Sequence, residues 1–493
     1  MIKGGQGIEE GGNMNHTTAG PRSWGFFLDG KWQTAGAPLE VRAPADQRLI
    51  ATIARARRED LETAIQAATR AFEVTRKLGA YERQRVLREV AAGLSRQREE
   101  FVRTLALEAG KPVKSARTEV DRAIFTFTIA AEESTRIYGE WLPLDLQPAT
   151  AGRWALVRRF PLGPVATITP FNFPLNLVAH KWAPAMATGC TLVHKPASQT
   201  PLCSLLLAEV VERAGWPAGG LNVLPVAGDG AEPLVTDDRL KMLSFTGSAA
   251  VGWELKKKSG KKRVTLELGG NAGVIVHDDA DLGYAAERCA IGGFSYAGQV
   301  CISVQRILVQ RRVFEKFLDA FLACVRKLKL GDPLDEATDV GPMISEGAAA
   351  RAASWVEEAA AEGAQILCGG KRTGAMLEPT VLTGTHPRQK VNCEELFAPV
   401  VTVEPYDDFA CAIERINDTS YGLQAGVFTR DAKLLFQAYE ELEVGGVMAG
   451  DTPSFRIDHM PYGGVKDSGL GREGLRYAME EMTERKILVM NIP

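Results

Sequence analysis

A chain of 493 residues, 45% of them apolar, has room for two or three domains with large cores, and it excludes a fibre, a disordered chain or a small disulfide-stapled scaffold. The formal net charge of −3 supplies no long-range field to gather nucleic acid or an anionic membrane surface, so an anionic ligand must be met by local basic residues. The eight cysteines are scattered, with no Cys-x-x-Cys pair and no histidine at zinc-ligand spacing, which predicts reduced thiols, no metal site and a cytoplasmic protein.

Residues 1–21, rich in Gly and polar side chains and lacking the apolar centre of a signal peptide, are expected to form a flexible extension, with a true start near Met14. Phe26 to Trp32 reads as a hairpin turning at Asp29-Gly30. Helical apolar spacing then predicts helices over 59–78, 81–109 and 114–137, the second stopped by Gly110 and Pro112, so that the opening forms a helical cap on the rest. From Trp154 strands and helices alternate: strands at 154–159, 165–169, 191–194, 221–226, 242–245 and 264–268, with helices at 175–187 and 201–214 among them. A second alternation runs through strands at 274–277, 306–309 and 400–404 and helices at 282–294, 313–328 and 348–362. The fold class is therefore α/β, with two doubly wound, mostly parallel sheets. No apolar run is long enough to span a bilayer.

Four stretches carry chemistry. Gly292-Gly293-Phe294-Ser295-Tyr296-Ala297-Gly298-Gln299-Val300-Cys301 closes a helix with small residues, turns tightly at Gly298 and leaves room around Cys301, which suits a thiol nucleophile better than a core cysteine. Thr169-Pro170-Phe171-Asn172-Phe173-Pro174 links a strand to a helix through two stiffening prolines. Asn172 there is either a fixed oxyanion donor or a local partner of its own turn. Glu267 ends an apolar strand before Gly269 and Gly270; partial burial would fit it for general-base work, and an ion-paired strand end is the alternative. Phe245-Thr246-Gly247-Ser248 follows a strand and opens a helix, where Ser248 serves as an N-cap or leaves free N–H groups for a phosphate. A P-loop is absent, and Gly228-Asp229-Gly230-Ala231-Glu232-Pro233 fails the dinucleotide fingerprint at its last glycine.

Pro170-Phe171-Asn172-Phe173-Pro174, Lys195-Pro196-Ala197-Ser198, Phe245-Thr246-Gly247-Ser248, Glu267-Leu268-Gly269-Gly270, Gly298-Gln299-Val300-Cys301 and Glu394-Glu395-Leu396-Phe397-Ala398-Pro399 resemble, in order, the motifs of the NAD(P)-dependent aldehyde dehydrogenase superfamily. The resemblance reaches down to Pro461-Tyr462-Gly463-Gly464 and beyond, and six motifs in sequence make it specific. It implies a cofactor-binding domain over 22–138 and 160–268, a catalytic domain over 269–465, and an oligomerisation β-element over 139–159 and 466–493 that joins a neighbour's sheet in a homodimer or homotetramer. It also implies oxidation of a small-molecule aldehyde to an acid with NAD or NADP. Cys301 would form a thiohemiacetal and then a thioester, Asn172 and the Cys301 N–H would stabilise the oxyanion, and Glu267 would activate the hydrolytic water. Cofactor contacts are implied for Thr169, Pro170, Phe171, Lys195, Ser198, Gly228, Thr246, Gly247, Ser248, Leu268, Glu395 and Phe397. Lys181 matches a lysine usual near the active site.

Departures from the pattern bear on specificity. Ala398 replaces a usual glycine. Ser198 stands where many NAD-preferring members carry a glutamate that repels a 2′-phosphate, so either cofactor is compatible. The helix bearing Arg122 resembles that of the non-phosphorylating glyceraldehyde-3-phosphate dehydrogenases, in which the matching arginine meets the substrate phosphate. Arg456 and His459 fall in an expected substrate-facing loop, and together these residues predict a small anionic or hydroxylated aldehyde. Against an anion, Glu119 could pair with Arg122 one turn away, and Val300 replaces an arginine frequent in phosphate-binding relatives; lactaldehyde-like substrates are the second choice. A Ser-His-Asp hydrolase is disfavoured because Gly293-Phe294-Ser295-Tyr296-Ala297 lacks the second glycine of a nucleophile elbow. Glu267 argues against transfer to CoA, and the intact Cys301, Asn172 and Glu267 argue against a non-enzymatic binding protein.

Overall fold

A computed structural model describes residues 22–491; the expected extension over 1–21 lies outside the described residues. Two sheets dominate. The first has eight strands in the spatial order Gly469–Leu470, Arg263–Glu267, Met242–Thr246, Pro164–Ile168, Thr191–Lys195, Leu221–Val223, Phe26–Leu28 and Lys31–Gln33, the central five parallel. These central strands are buried on both faces, as parallel strands must be: Val165 and Leu192 face a core containing Trp182, while Ala166 and Val193 face one containing Leu61 and Ile65. Chain order runs outward in one direction from Pro164–Ile168 and resumes on its other side with Met242–Thr246. A crevice therefore opens at the carboxyl ends of these two strands, the place where open α/β sheets bind ligands.

The second sheet has seven strands, ordered Gln365–Cys368, Thr380–Thr383, Val400–Tyr406, Arg306–Gln310, Gly273–Val276, Gln424–Phe428 and Gly446–Ala449, all parallel except the first. The α/β reading with two parallel sheets is thus the observed architecture. No helix among the described residues is long and apolar enough to cross a membrane.

Several expectations are corrected. The helix expected over 81–109 is two, Ala80–Arg96 and Arg98–Ala109, broken where Gln97 leaves helical geometry at φ −104°, ψ 18°. The opening is more than a helical cap. Arg22–Trp24, Leu49–Ala54 and Pro38–Arg42 form a three-stranded sheet, and the Phe26–Leu28 hairpin, turning through Asp29 (φ 49°) and Gly30 (φ 74°), extends the eight-stranded sheet. The segment expected over 466–493 as one oligomerisation element divides. Gly469–Leu470 pairs with Arg263–Glu267, Glu473 enters the site described below, and Thr483–Asn491 pairs along its whole length with Arg153–Pro161 of its own chain. That strand leaves Ile487, Leu488 and Val489 half exposed on the edge of a three-stranded sheet.

Candidate active site

The nucleophile turn is built by its flanks. Helix Leu282–Phe294 closes on Gly292 and Gly293, where a Cβ on Gly293 would lie 2.7 Å from Val401. Tyr296, Ala297 and Gly298 then adopt left-handed conformations (φ 50°, 52° and 67°), which cost a non-glycine residue about 1–2 kcal/mol each. The surroundings hold them there. The Tyr296 hydroxyl donates to Ala109 O at 2.8 Å, Gln299 Oε1 accepts from Ile344 N–H at 2.8 Å, and a side chain at 298 would collide with the Ala398 carbonyl. The turn delivers Cys301 to the wall of a cleft of about 630 Å³, with its Sγ 3.0 Å from Tyr462 Oη. Burial pushes the thiol up to about 11, against the Tyr462 hydrogen bond and the Arg456 charge, which favour the thiolate.

Asn172 lies on the same wall, 4% exposed, at the carboxyl end of Pro164–Ile168. Its amide does not turn back on its own loop. Nδ2 donates to Gln299 O at 3.0 Å, two residues before Cys301, so the amide is fixed against the nucleophile turn with its second hydrogen to spare. The Cys301 N–H has no partner among the described residues.

Glu267 is set behind the cleft wall, 3% exposed, with neither carboxylate oxygen partnered among the described residues. Burial, reinforced by the charge of Glu473, holds it well above the usual carboxylate range. It is therefore not an ion-paired strand end. Glu473 behaves oppositely: despite burial, Lys181 at 3.2 Å and Arg456 at 2.9 Å draw it down to about 2. Two nearby buried carboxyls are thus shifted in opposite directions, Glu267 toward its protonated form and Glu473 toward its ionised form.

The other half of the cleft suits a dinucleotide. Thr246 Oγ1 is buried without a partner among the described residues, and Gly247, Ser248, Leu268 and Gly269 share its wall. Ser248 begins helix Ala249–Lys258 without a side-chain cap bond, so the first amides stay available to a phosphate. A Cβ at Gly269 would collide with the Glu395 carboxyl, which accepts from Gly270 N–H at 3.0 Å and is pushed up to about 7 by burial. Phe397 (φ 53°) meets Phe171 edge to face at 6.0 Å, and Pro170 and Phe171 line the same cleft. Thr169 binds Lys195 O through its N–H at 3.3 Å. Lys195 is half-buried, its ammonium lowered by that burial; Ser198 and Gly228 are exposed, and none of these three belongs to the cleft wall.

In the substrate half, Arg122 and Arg456 reach the cleft and His459 does not. His459 is exposed and packs edge to face on Phe125 at 6.1 Å, because Asp458 takes the inward position in that loop. Asp458 accepts from Arg122 Nη2 at 2.6 Å and Nε at 3.1 Å, and contacts His180 Nε2 at 2.8 Å. The alternative Glu119–Arg122 pair does not form, since Glu119 pairs with buried Lys111. Arg456 lies 3.6 Å over the Tyr462 ring, and its buried Nε has no partner among the described residues.

Comparison with known proteins decides the family. The profile of the aldehyde dehydrogenase family matches residues 32–488. This chain belongs to the aldehyde dehydrogenase family. It is 45% identical over 474 residues to the 3-sulfolactaldehyde dehydrogenase of Priestia aryabhattai, covering 96% of this chain and 98% of that one. Among solved structures it is similar to aldehyde dehydrogenase 21 of Physcomitrella patens in complex with its reaction product succinate (TM-score 0.94, 46% identity, 96% and 99% coverage). It is also similar to the glyceraldehyde-3-phosphate dehydrogenase GapN of Methanocaldococcus jannaschii with NADP (TM-score 0.89, 42% identity, 92% and 99% coverage).

As an aldehyde dehydrogenase, the protein oxidises an aldehyde to a carboxylic acid with NAD or NADP. Sequence reasoning missed Tyr462, Glu473, Asp458, His180 and Arg288 as residues around this cleft. Arg288 also lines it, held by Asp451 at 2.8 Å, and its position on the helix that ends at the nucleophile turn was the one available signal.

Proposed function

We propose that this aldehyde dehydrogenase acts on a small aldehyde bearing an anionic group a few atoms from the carbonyl. The observation that carries the reading is the convergence of Arg122 and Arg456 on the cleft that holds Cys301 and Asn172. The anionic compounds named for its relatives, 3-sulfolactaldehyde and succinate, support it. Cys301 adds as thiolate to the carbonyl carbon, and the free Asn172 amide hydrogen and the Cys301 N–H receive the oxyanion. NAD or NADP, when bound, would supply the hydride acceptor, and Cys301 would then carry the acyl group as a thioester. Thr246, Gly247, Ser248, Glu395 and Phe397 would hold that cofactor, with Lys195 and Ser198 at the adenosine end. Ser198 offers no carboxylate against a 2′-phosphate, which favours use of both cofactors. Glu267, in its ionised form, takes the proton of the water that hydrolyses the thioester; burial, which raises its pKa, makes it a stronger base than an exposed carboxylate.

The test is the absorbance of reduced nicotinamide with 3-sulfolactaldehyde, the half-aldehyde of succinate, glyceraldehyde 3-phosphate, lactaldehyde and propanal, each with NAD or NADP and with or without CoA. The reading expects kcat/KM for the best anionic aldehyde at least about tenfold above propanal, from one charge-assisted hydrogen bond. Equal values for charged and neutral aldehydes would remove it, and faster turnover with CoA would replace hydrolysis by acyl transfer. We further propose a homodimer or homotetramer joined through the exposed edge of strand Thr483–Asn491.

A further inference from the structure

A lysine and a glutamate buried without exposed surface sit beside the oxyanion site: Lys111 is 0% and Glu119 1% exposed, and they pair with each other. Such a pair adds little to stability, because desolvation offsets the attraction and an apolar pair of similar size packs as well. Its meaning lies in the remaining hydrogen bonds. Lys111 Nζ donates to Asn172 O at 2.8 Å, and Glu119 Oε1 accepts from Leu175 N–H at 3.0 Å and Asn176 N–H at 3.1 Å. The backbone from the Asn172 carbonyl to the Asn176 N–H is therefore held by one ion pair.

The same ammonium also reaches the nucleophile turn. It lies 3.7 Å from the ring centre of Phe173 and 4.4 Å from that of Tyr296, the first of the left-handed residues before Cys301. The Tyr296 hydroxyl is tied to Ala109 O, two residues before Lys111. Gly110 between them (φ 65°) leaves no room for a side chain, since a Cβ would lie 2.9 Å from Pro342. Val113 N–H donates to Pro333 O at 2.9 Å, so the segment is anchored on its other side as well.

We infer that the Lys111–Glu119 pair is the positioning group of the oxyanion site, fixing the Asn172 turn and the Cys301 turn against one another. The inference rests on the proposed roles of Asn172 and Cys301. Lys111 borders the same cleft with no exposed surface, and it acts through the Asn172 backbone that it binds. A displacement of about 1 Å in a positioning element costs on the order of 100-fold in rate.

The test compares Lys111→Met/Glu119→Gln, which leaves no lone charge in the interior and keeps an acceptor for the two amides, in the wild-type and Asn172→Ala backgrounds. In the wild-type background kcat is expected to fall about 10- to 100-fold. KM for the preferred aldehyde and the rate of Cys301 alkylation by iodoacetamide should each stay within about threefold, since neither depends on the oxyanion donor. In the Asn172→Ala background, followed by single turnover, the same change should cost no more than about twofold, because the residue it positions is gone. Equal losses in both backgrounds, alkylation falling in step with kcat, or no loss at all would overturn the inference. Should the double variant fail to fold, Glu119→Gln alone is judged by the same ratio. A wild-type enzyme active on aldehydes with additive losses overturns this inference alone, whereas one that oxidises no aldehyde overturns the functional reading and this inference with it.

Discussion

Replacing Tyr462 by phenylalanine isolates what the tyrosine hydroxyl does for the nucleophile. Burial pushes the Cys301 thiol up to about 11, so the thiolate is the minor form of the free enzyme at pH 8. The phenol, itself held protonated by burial, stands 3.0 Å from Sγ and can donate to the ionised sulfur throughout the working range. A hydrogen bond to a charged group is worth about 1.5–3 kcal/mol, and about 1.4 kcal/mol corresponds to one pKa unit. Losing it should raise the thiol pKa by about one to two units and slow alkylation by iodoacetamide at pH 8 by about 10- to 100-fold. The Tyr462→Phe variant keeps the ring on which Arg456 lies, so the charge above the site stays in place. Pseudo-first-order alkylation rates between pH 7 and pH 10.5 give the result directly. Equal or faster alkylation of the variant at pH 8 would show that the hydroxyl accepts from the neutral thiol, and the argument would fail.

Glu267→Gln should keep a burst of reduced nicotinamide near one equivalent per subunit and slow the steady state by about 100- to 10,000-fold, because only the hydrolytic proton transfer is lost; disappearance of the burst would move Glu267 to an earlier step. Because burial raises the Glu267 pKa and the base must be ionised to act, the acid limb of the wild-type steady-state rate should lie above the ordinary carboxylate range, and a limb below pH 5 contradicts this. Arg122→Leu should raise KM for the anionic aldehyde about tenfold or more and leave propanal within about twofold; similar changes for both would make Arg122 a purely structural partner of Asp458. Leu488→Asp places a charge on a half-exposed edge strand and should reduce the sedimentation coefficient to that of a smaller assembly; an unchanged value takes this strand out of the interface.

What could be read in the sequence was what is written locally. Val165, Leu192 and Leu243 stand in short apolar runs between helix-length segments, and Cys301 follows a glycine that leaves it approachable. The strand Pro38–Arg42 also carries a local signal, Leu39 and Val41 alternating with Pro38, Glu40 and Arg42, although no strand was expected there. Other features have no local signature. Tyr296 and Ala297 are not residues that announce a left-handed turn, and distant partners, the Ala109 carbonyl and the Ile344 N–H among them, hold it. Glu473 and Glu267 are chemically identical side chains in the sequence. Their opposite shifts depend on Lys181 and Arg456 reaching Glu473 and leaving Glu267 without a hydrogen-bond partner among the described residues, a consequence of packing across 292 residues of chain in the case of Lys181. His459 was the expected site residue of its loop and Asp458 was not, yet the loop turns Asp458 inward and leaves His459 exposed.

The pairing of charges in the substrate half leads to one more expectation. Arg122 is held by Asp458, Arg288 by Asp451, Arg456 by Glu473 and Lys111 by Glu119, so an entering anion meets no uncompensated positive cluster. With a net charge of −3, the whole molecule does not gather anions from a distance either. Recognition is left to individual N–H groups whose direction the carboxylates fix, such as the buried Nε of Arg456, which has no partner among the described residues. Selectivity of this kind is short-ranged. Screening acts over about 8–10 Å at ordinary ionic strength, and contacts to buried groups such as the Arg456 guanidinium are affected little. The ratio of kcat/KM for an anionic aldehyde to that for propanal should therefore change by less than about threefold between roughly 0.05 and 0.5 M salt. A tenfold fall over the same range would mean that long-range attraction, and not the aimed N–H groups of the paired arginines, selects the substrate.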